Sequence, residues 1–414
     1  MTPAARLQMA IEILEGLEQT AQPFDRFLKD WFRSRRFAGS KDRRAIAERV
    51  FAITRRRAHL AHRMAGDGPR ALAIASLLEE GADIEALFTG GYGPAPLMQE
   101  ERAAIAATQG PEPDWVKGEY PHWLEEELHR AFGSRLLEEM AALQGRAPVD
   151  LRVNSLKAKR ADVLAALKTE GFAAAPAPYS PWGIRIPPGE GSAALAKSAL
   201  FESGAFEFQD EAAQLASLLA GAEPGMEVLD LAAGAGGKAL AMAASMNDQG
   251  AILAFDDNAA RLAPLAERAR RAGARCIILA QKRGGPLWGH GKFDLVFLDA
   301  PCSGSGTWRR QPELRWRLTP ERLVELNRTQ DWLLDDAARH TKTGGRLIYA
   351  TCSLLPVENQ DRVAAFLSRN PGFATVDLRD GWSGKPVSGL GTDFRATPQA
   401  TGTDGFYCAA LRRS

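Results

Sequence analysis

The chain has 414 residues, more than a single hydrophobic core usually holds, so we expect two or three domains. It has 45% hydrophobic and 25% charged residues, and no apolar run reaches the roughly 18 residues that a membrane span needs. The composition predicts a soluble globular protein, and the N-terminus leads into an amphipathic pattern and not a signal-peptide core. A cytoplasmic protein without a membrane partner is therefore expected.

Histidine and cysteine spacing argues against a metal site. His59 and His62 are i, i+3 on a probable helix, but they lie among arginines that would repel a cation, so we interpret them as surface residues. No two cysteines have the Cys-x-x-Cys spacing of a metal or redox motif, which predicts free thiols in a reducing compartment. The four cysteines are Cys276, Cys302, Cys352 and Cys408.

Residues 1–140 are predicted to form an all-helical domain, because apolar residues such as Leu7, Ile11 and Leu14 recur at helical spacing. The net charge is only +1, yet the block from Arg26 to Arg63 holds thirteen Lys and Arg against three acids. Such a block attracts phosphate backbones, although it could also be a solvated face balanced by acids elsewhere, such as those at 125–127.

The order of charges in this block is distinctive. A basic pair, Arg35-Arg36, is followed by Asp42-Arg43-Arg44 and then by a helical pattern. This order resembles the helical RNA-binding domain of the transcription antitermination factor NusB, and the resemblance implies a NusB-like domain at residues 1–140.

Residues 141–200 are predicted to form a small α/β module. An alternating strand at Asp150–Lys157 is followed by a helix at Ala161–Glu170 and by a short strand at Ile184–Ile186. The module offers polar side chains that could contact RNA or could equally be plain surface residues. These are Arg152, Asn154 and Lys157.

Residues 201–414 show strands alternating with helices, which predicts an α/β domain with a doubly wound, Rossmann-like parallel sheet. Helices are expected at Asn258–Ala272 and Pro320–His340 among others. The predicted strands are Glu227–Leu231, Ala251–Phe255, Cys276–Leu279, Asp294–Leu298, Arg346–Ala350 and Phe406–Ala410.

A glycine-rich loop follows the first of these strands and predicts a cofactor site. Glycine lets a ligand lie against backbone N–H groups, and Asp256 at the end of the next strand could bind ribose hydroxyls. Gly234-x-Gly236-x-x-Ala239 permits NAD, whereas Asp230 suits the cationic amino group of S-adenosylmethionine better than a diphosphate. The predicted cofactor loop is Ala232, Ala233, Gly234, Ala235, Gly236, Gly237 and Lys238.

Two thiols follow two different strands of the predicted sheet. Asp299 and Cys302 come after one apolar strand and Cys352 after another, so all three are expected at the same rim as the cofactor loop. Methylation of a pyrimidine at C5 needs such a set, because a thiolate must add to C6 and an acid must offset the charge that develops near N3. The residues alone do not decide which thiol is the nucleophile.

These motifs together resemble the Sun/Fmu (RsmB-type) family of S-adenosylmethionine-dependent RNA cytosine-5 methyltransferases. The segments that carry the resemblance are Asp230–Lys238, Asp299–Gly304, Thr351-Cys352-Ser353, Glu358-Asn359, Trp308-Arg309-Arg310 with Pro312 and Trp316, Leu151–Asn154, and Thr403–Phe406. With the NusB-like domain, the resemblance covers nearly the whole chain.

The resemblance implies a role for each site residue. Cys352 becomes the nucleophile, Cys302 assists product release, and Asp299 contacts cytosine and the cofactor side of the site. The loop 232–238 binds S-adenosylmethionine, with Asp256 on its ribose. The expected substrate is 16S ribosomal RNA and the expected protein is a monomer without a metal.

The sequence departs from the family pattern at several positions and leaves other functions to be weighed. Ala235 stands where the family has Pro, Ala239 where it has Thr, and Glu313 where Asp is common, while the region around Gln281 lacks a cofactor-side acid. The alternatives are the same chemistry on transfer RNA, a DNA or small-molecule methyltransferase, an NAD-dependent oxidoreductase, and a non-catalytic ribosome assembly factor.

Overall fold

A computed structural model describes residues 1–189 and 191–414. The chain forms two compact units. A helical unit comprises Met1–Gln144 together with Gln311–Arg317, and an α/β unit comprises Gly145–Arg310 together with Leu318–Ser414. The three-domain division with boundaries after residues 140 and 200 stays a prediction.

The helical unit is built on the apolar spacing seen in its sequence. In the first helix, Leu7, Ile11 and Leu14 are all buried in one core, and the Thr2 hydroxyl caps the helix by accepting a hydrogen bond from the Ala5 amide. The helices are Pro3–Glu18, Phe24–Arg33, Ser40–Arg55, Arg57–Met64, Pro69–Glu79, Ile84–Leu87, Gln99–Ala106, Asp114–Lys117, Glu125–Phe132, Leu136–Gln144 and Glu313–Arg317, with 3₁₀ turns at His122–Leu124 and Gly133–Arg135.

The last helix of this unit, Glu313–Arg317, comes from a distant part of the chain. Arg315 is fully buried and donates from Nη1 to the Glu119 carbonyl over 2.7 Å. Trp316 donates from Nε1 to the Thr54 carbonyl over 2.9 Å. Residues 311–317 are thus an integral part of the helical unit.

Acids elsewhere in the helical unit neutralise part of the basic block. The ion pairs are Arg49–Glu80, Arg56–Glu79 and Arg57–Glu18. His59 and His62 are half-buried and not simple surface residues, since His59 lies between Glu79 and Glu112. Among the described residues no group of three or more His, Cys, Asp or Glu side chains is arranged to hold a metal.

The α/β unit begins with a small antiparallel sheet. Its strands are β1 (Val149–Val153), β2 (Ala175–Pro176), β3 (Gly183–Ile186) and β4 (Phe206–Phe208), in the order β2-β3-β1-β4. The helix Arg160–Thr169 contributes Val163 and Leu167 to the core of this sheet. The fourth strand lies beyond residue 200.

Two of the three polar residues proposed for RNA contact in this module are buried. Arg152 is 1% exposed and donates from Nε to Gln209, and burial lowers its pKa to about 10. Asn154 is 3% exposed and donates to the carbonyls of Gly204 and Ala272. Both interpretations, RNA contact and surface polarity, are therefore wrong for Arg152 and Asn154. Asn154 ties the small sheet to the helix Pro264–Ala272, whereas Lys157 is exposed.

The large sheet is Rossmann-like but mixed. Strands β9-β8-β5-β6-β7 are parallel, and β12 joins β9 antiparallel, so the sheet is not parallel throughout as expected. Beyond β12 lie β10 and β11, both antiparallel to it. The strands are β5 (Glu227–Asp230), β6 (Ala251–Ala254), β7 (Ile277–Leu279), β8 (Phe293–Asp299), β9 (Thr341–Thr351), β10 (Phe373–Val376), β11 (Asp393–Ala396) and β12 (Phe406–Arg413).

Helices cover both faces of this sheet. Val228 and Leu229, neighbours on β5, belong to two different cores, because successive strand side chains point to opposite faces. The remaining helices are Ser192–Leu195, Ala199–Glu202, Glu211–Leu219, Gly237–Ser245, Ala259–Leu262, Pro264–Ala272, Pro320–His340, Gln360–Arg369 and Pro398–Thr401, with 3₁₀ turns at Ser305–Thr307 and Pro356–Glu358. None of the described helices has both the length and the apolar character required to cross a membrane.

Candidate active site

The two thiols meet where the adjacent parallel strands β8 and β9 end. Asp299, the last residue of β8, lies beside Ala350 of β9 in the sheet register. Cys302 follows β8 by three residues and Cys352 follows β9 directly, and their Sγ atoms are 3.4 Å apart. Both side chains are half-buried and neither is in a disulfide.

The surroundings hold Cys302 in its protonated form. A hydrogen bond with Cys352, burial, and negative charge at Cys352 and Glu358 together raise the pKa of the Cys302 thiol well above its ordinary value. Because Cys302 keeps its proton, its S–H can donate to the sulfur of Cys352.

A lysine–aspartate pair lies close to the thiols. Lys238 Nζ donates to Asp299 Oδ2 over 2.5 Å and lies 5.3 Å from the centre of the Phe406 ring. Burial opposes the charged form of Lys238, but the Asp299 carboxylate, with weaker help from Cys352 and Asp230, raises its pKa overall. The sequence placed Lys238 in the cofactor loop, whereas its ammonium reaches Asp299 at the neighbouring strand end.

The glycine-rich loop after β5 depends on glycine at two positions. Gly234 and Gly236 both have positive φ, 52° and 82°. A Cβ on Gly236 would lie 2.1 Å from Leu265 Cδ1, so another residue would both strain the backbone and push the Leu265 side chain aside. The loop therefore presents bare backbone beside the end of β5, which is the cradle that a cofactor needs.

Asp230 is the strongest indication that a ligand belongs in this cradle. Its side chain is fully buried, and neither carboxylate oxygen has a hydrogen-bond partner among the described residues. Burial, reinforced by the charge of Asp299, raises its pKa to about 7. A buried carboxylate without partners is costly, and a cationic amino group would satisfy it. The residues present thus fit an amino-bearing cofactor better than one that brings a diphosphate to this point.

The side chains of Asp256 and of the region after β7 make hydrogen bonds and ion pairs within the protein. The Asp256 carboxylate accepts hydrogen bonds from the amides of Gly234 and Asn258, at 2.9 and 2.8 Å, so it holds the glycine loop in place. Its contact with a ribose stays a prediction. Where the family's acid is missing, near Gln281, Arg283 instead pairs with Asp257 over 2.7 Å.

A buried network beneath the thiols was not anticipated from the sequence. Glu358 is fully buried and accepts hydrogen bonds from the Ser303 amide (2.8 Å), both serine hydroxyls of Ser303 and Ser353, and Gln330 (3.0 Å). Ser303 follows Cys302 and Ser353 follows Cys352, so a single carboxylate ties together the two segments that carry the thiols. Burial raises the pKa of Glu358, although these donors oppose the shift.

A second charged cluster holds the segment downstream of Cys302. Arg309 and Arg310 both donate from Nε to Asp404, and Arg310 also donates to Asp210 over 3.0 Å. Burial and the nearby Asp210 raise the pKa of Asp404 to about 6. The structure thus brings together two motifs, at 308–310 and 403–406, that are almost a hundred residues apart in the chain.

Two family models match segments of this chain. The family described as 16S rRNA methyltransferase RsmB/F matches residues 216–412, and a ferredoxin-like domain of RsmF/B-like methyltransferases matches residues 120–189. The crystal structure of PH0851 superposes with a TM-score of 0.79 at 26% sequence identity, covering 100% of this chain and 99% of that one.

Two bacterial relatives extend the comparison. Ribosomal RNA small subunit methyltransferase B of Pseudomonas syringae pv. tomato is 35% identical over 308 residues, which are 72% of this chain but only 66% of the relative, just under two thirds of its length. The protein of the same name from Cronobacter sakazakii is 30% identical over 348 residues, 83% of this chain and 78% of the relative. The relative from Cronobacter sakazakii, matched over more than two thirds of its length, together with the two family models, means that the chain belongs to the RsmB/F family of 16S rRNA methyltransferases.

Proposed function

We propose that the chain transfers a methyl group from S-adenosylmethionine to C5 of a cytosine in small-subunit ribosomal RNA. The observation that carries the proposal is the 3.4 Å approach of two thiols beside the Lys238–Asp299 pair. Ribosomal RNA is proposed as the substrate because the relatives are named ribosomal RNA methyltransferases. C5 is proposed as the methylated atom because the site holds two thiols, which methylation at a ring or exocyclic nitrogen does not need.

Cys352 is the proposed nucleophile. Its thiolate adds to C6, forming a carbon–sulfur bond while the electrons of the C5–C6 double bond move toward C5 and N3. The raised pKa of Cys302 supports this division, because a thiol that keeps its proton can donate to a neighbouring thiolate but cannot attack.

The Lys238–Asp299 pair is suited to the polar edge of cytosine. The carboxylate of Asp299 can accept from the 4-amino group, and the ammonium of Lys238 can offset negative charge that develops at N3 and O2. Both groups stand in a partly buried site, where a fixed charge acts more strongly than in water.

S-adenosylmethionine, when bound, supplies an electrophilic methyl group. The residues proposed to hold it are the glycine loop 232–238, Asp230 at its amino group and Asp256 at its ribose. Support comes from the unpartnered carboxylate of Asp230 and from the loop geometry enforced at Gly236.

Cys302 is proposed to act in release. Once Cys352 is bonded to carbon it carries no negative charge and no longer accepts a hydrogen bond as a thiolate. The main cause of the raised pKa of Cys302 then disappears, so Cys302 can lose its proton to solvent and its thiolate can take the C5 proton. The electrons of that C–H bond re-form the double bond, and the sulfur of Cys352 leaves C6 as a thiolate.

The test is methyl transfer from labelled S-adenosylmethionine to unmodified small-subunit ribosomal RNA, with transfer RNA as a parallel substrate. Nucleoside analysis should find the label in 5-methylcytosine. Cys352→Ala should be inactive and form no covalent adduct, whereas Cys302→Ala should accumulate a protein–RNA adduct that survives denaturing electrophoresis. Cys276→Ala is the matched control, since this buried thiol precedes β7, away from the thiol pair, and its loss should leave transfer unchanged.

Several outcomes would contradict the proposal. Label in an N-methylated base would exclude the C5 chemistry, and an adduct in Cys352→Ala but not in Cys302→Ala would reverse the two thiol roles. Transfer to transfer RNA alone would reject the ribosomal substrate and leave the chemistry intact.

A further inference from the structure

The helical unit displays a phenylalanine on a tight turn. Phe37 is 75% exposed, the second most exposed of the large hydrophobic side chains among the described residues. It lies with Arg36 at the tip of a turn closed by the Ala38 amide, which donates to the Arg35 carbonyl over 3.2 Å. The turn joins the helices Phe24–Arg33 and Ser40–Arg55.

Contacts on the buried side of the turn fix its conformation, and this conformation leaves the Phe37 ring exposed. The Arg35 guanidinium stacks 3.7 Å from the centre of the Trp31 ring. Arg43 donates from Nε to the Ala38 carbonyl over 2.7 Å, and Ala38 itself is buried. The two residues at the tip, Arg36 and Phe37, point away from these anchors and are both exposed.

Cations without an ion pair lie on the turn and on the two helices that it joins. Among the described residues these exposed cations are Arg36 on the turn, Lys41 at the start of the following helix, and Arg26 and Lys29 on the preceding helix. Arg26 and Lys29 share a face of that helix with Arg33, which pairs with Asp30. This contrasts with the later part of the basic block, whose arginines are engaged by glutamates.

We propose that this turn is a second RNA-binding site, at which one unpaired base stacks on Phe37 while the cations around it bind phosphates. An exposed ring in a basic surface is the combination that single-stranded nucleic acid requires, whereas the bases of a duplex are already stacked on each other. The identification of the partner as RNA rests on the proposed function; the site itself rests on the ring and the charges.

The test is equilibrium binding of a fluorescent single-stranded RNA of about a dozen nucleotides to the full chain, followed by anisotropy without S-adenosylmethionine. Phe37→Ala should weaken binding about 5- to 150-fold, the usual effect of losing one stacked base, and Phe37→Trp should restore it. The slope of affinity against salt should stay unchanged in Phe37→Ala but should fall by about 0.7 for each of Arg36→Ala and Lys41→Ala. A duplex of the same sequence should not distinguish Phe37→Ala from the wild type.

Tyr92→Ala is the matched control. Tyr92 is 91% exposed on a glycine-rich loop of the same unit, but residues 79–101 hold six acids and no Lys or Arg. The Tyr92→Ala variant should bind the single-stranded RNA with the same affinity as the wild type. Equal binding by Phe37→Ala and the wild type, or equal losses in Phe37→Ala and Tyr92→Ala, would overturn the inference. Because no methyl donor is present, this result is independent of whether Cys352 and Cys302 perform the proposed chemistry.

Discussion

Replacing Glu358 by alanine should loosen both thiol-bearing segments at once, because four hydrogen bonds from three residues end on its carboxylate. The hydroxyls of Ser303 and Ser353 can turn toward each other, since their oxygens are 3.3 Å apart. The amide of Ser303 and one N–H of Gln330 are left without an acceptor in a buried site. At about 1–3 kcal/mol for each buried donor left unsatisfied, the substitution should cost ~2–6 kcal/mol before any cavity is counted.

Hydrogen–deuterium exchange followed by mass spectrometry measures this loss locally, which suits a chain of two units better than a global unfolding curve. Peptides covering residues 300–306 and 352–359 should exchange about 30- to 20,000-fold faster in Glu358→Ala, the factor that corresponds to ~2–6 kcal/mol. Peptides from the helical unit should be unaffected. Exchange within threefold of the wild type in both thiol-bearing peptides would refute the reasoning.

Glu358→Gln separates hydrogen bonding from charge. The glutamine oxygen can accept from the Ser303 amide and Gln330, while its amide donates to the two hydroxyls, so only about 1 kcal/mol should be lost. Because burial raises the pKa of Glu358, the folded wild type binds this proton more tightly than the unfolded chain does. Wild-type stability from this group is therefore complete below the ordinary pKa and is lost as pH rises through the raised one. The difference in unfolding free energy between the wild type and Glu358→Gln should become smaller as the pH rises.

Three further predictions concern the cofactor and the lysine pair. Gly236→Ala should abolish cofactor binding in a calorimetric titration, because its φ of 82° strains alanine and its Cβ would meet Leu265. Gly381→Ala, at an exposed glycine with no atom within 4 Å and no positive φ, should bind normally. Cofactor affinity should fall about tenfold per pH unit below about 7, because Asp230 takes up a proton that must leave before its carboxylate can bind an amino cation. Asp230→Asn should bind the cofactor weakly and with no such dependence on pH. The same pH dependence in Asp230→Asn would exclude Asp230 as its cause. Lys238→Met should lower the rate of methyl transfer about 10²- to 10³-fold. A loss of threefold or less would contradict an electrostatic role for Lys238.

The sequence predicts the fold well where burial and local signals agree. The helix Pro320–His340 was predicted with its observed ends because Thr319 caps it and Pro320 starts it. The expected helix Asn258–Ala272 instead forms two pieces, Ala259–Leu262 and Pro264–Ala272, because Pro264 has no N–H to continue the first. Strands β10 and β11 were missed, since part of each strand is exposed and their apolar signal is weak.

The candidate site divides in a similar way. Parallel strands must end at one edge, so the meeting of Cys302 and Cys352 could be predicted from two strand-plus-thiol patterns. The role of Glu358 could not be predicted, because its partner Gln330 lies 28 residues away on another element and no local sequence pattern indicates the contact. Arg152 misled for a related reason: a basic side chain in a strand is expected to be exposed, whereas Arg152 is buried and bonded to Gln209, 57 residues away.

The position of residues 311–317 has a consequence for dividing the protein into fragments. The chain leaves the α/β unit after Arg310, contributes a helix to the helical unit, and returns at Leu318. A protease cut between residues 144 and 145 should therefore leave the first fragment attached without a covalent bond, through the Arg315 and Trp316 hydrogen bonds. An α/β fragment made without residues 1–144 would expose Trp316 and leave the buried guanidinium of Arg315 without its carbonyl. Neither residues 1–144 nor residues 145–414 are therefore a self-contained fragment, and the two are candidates for complementation in trans.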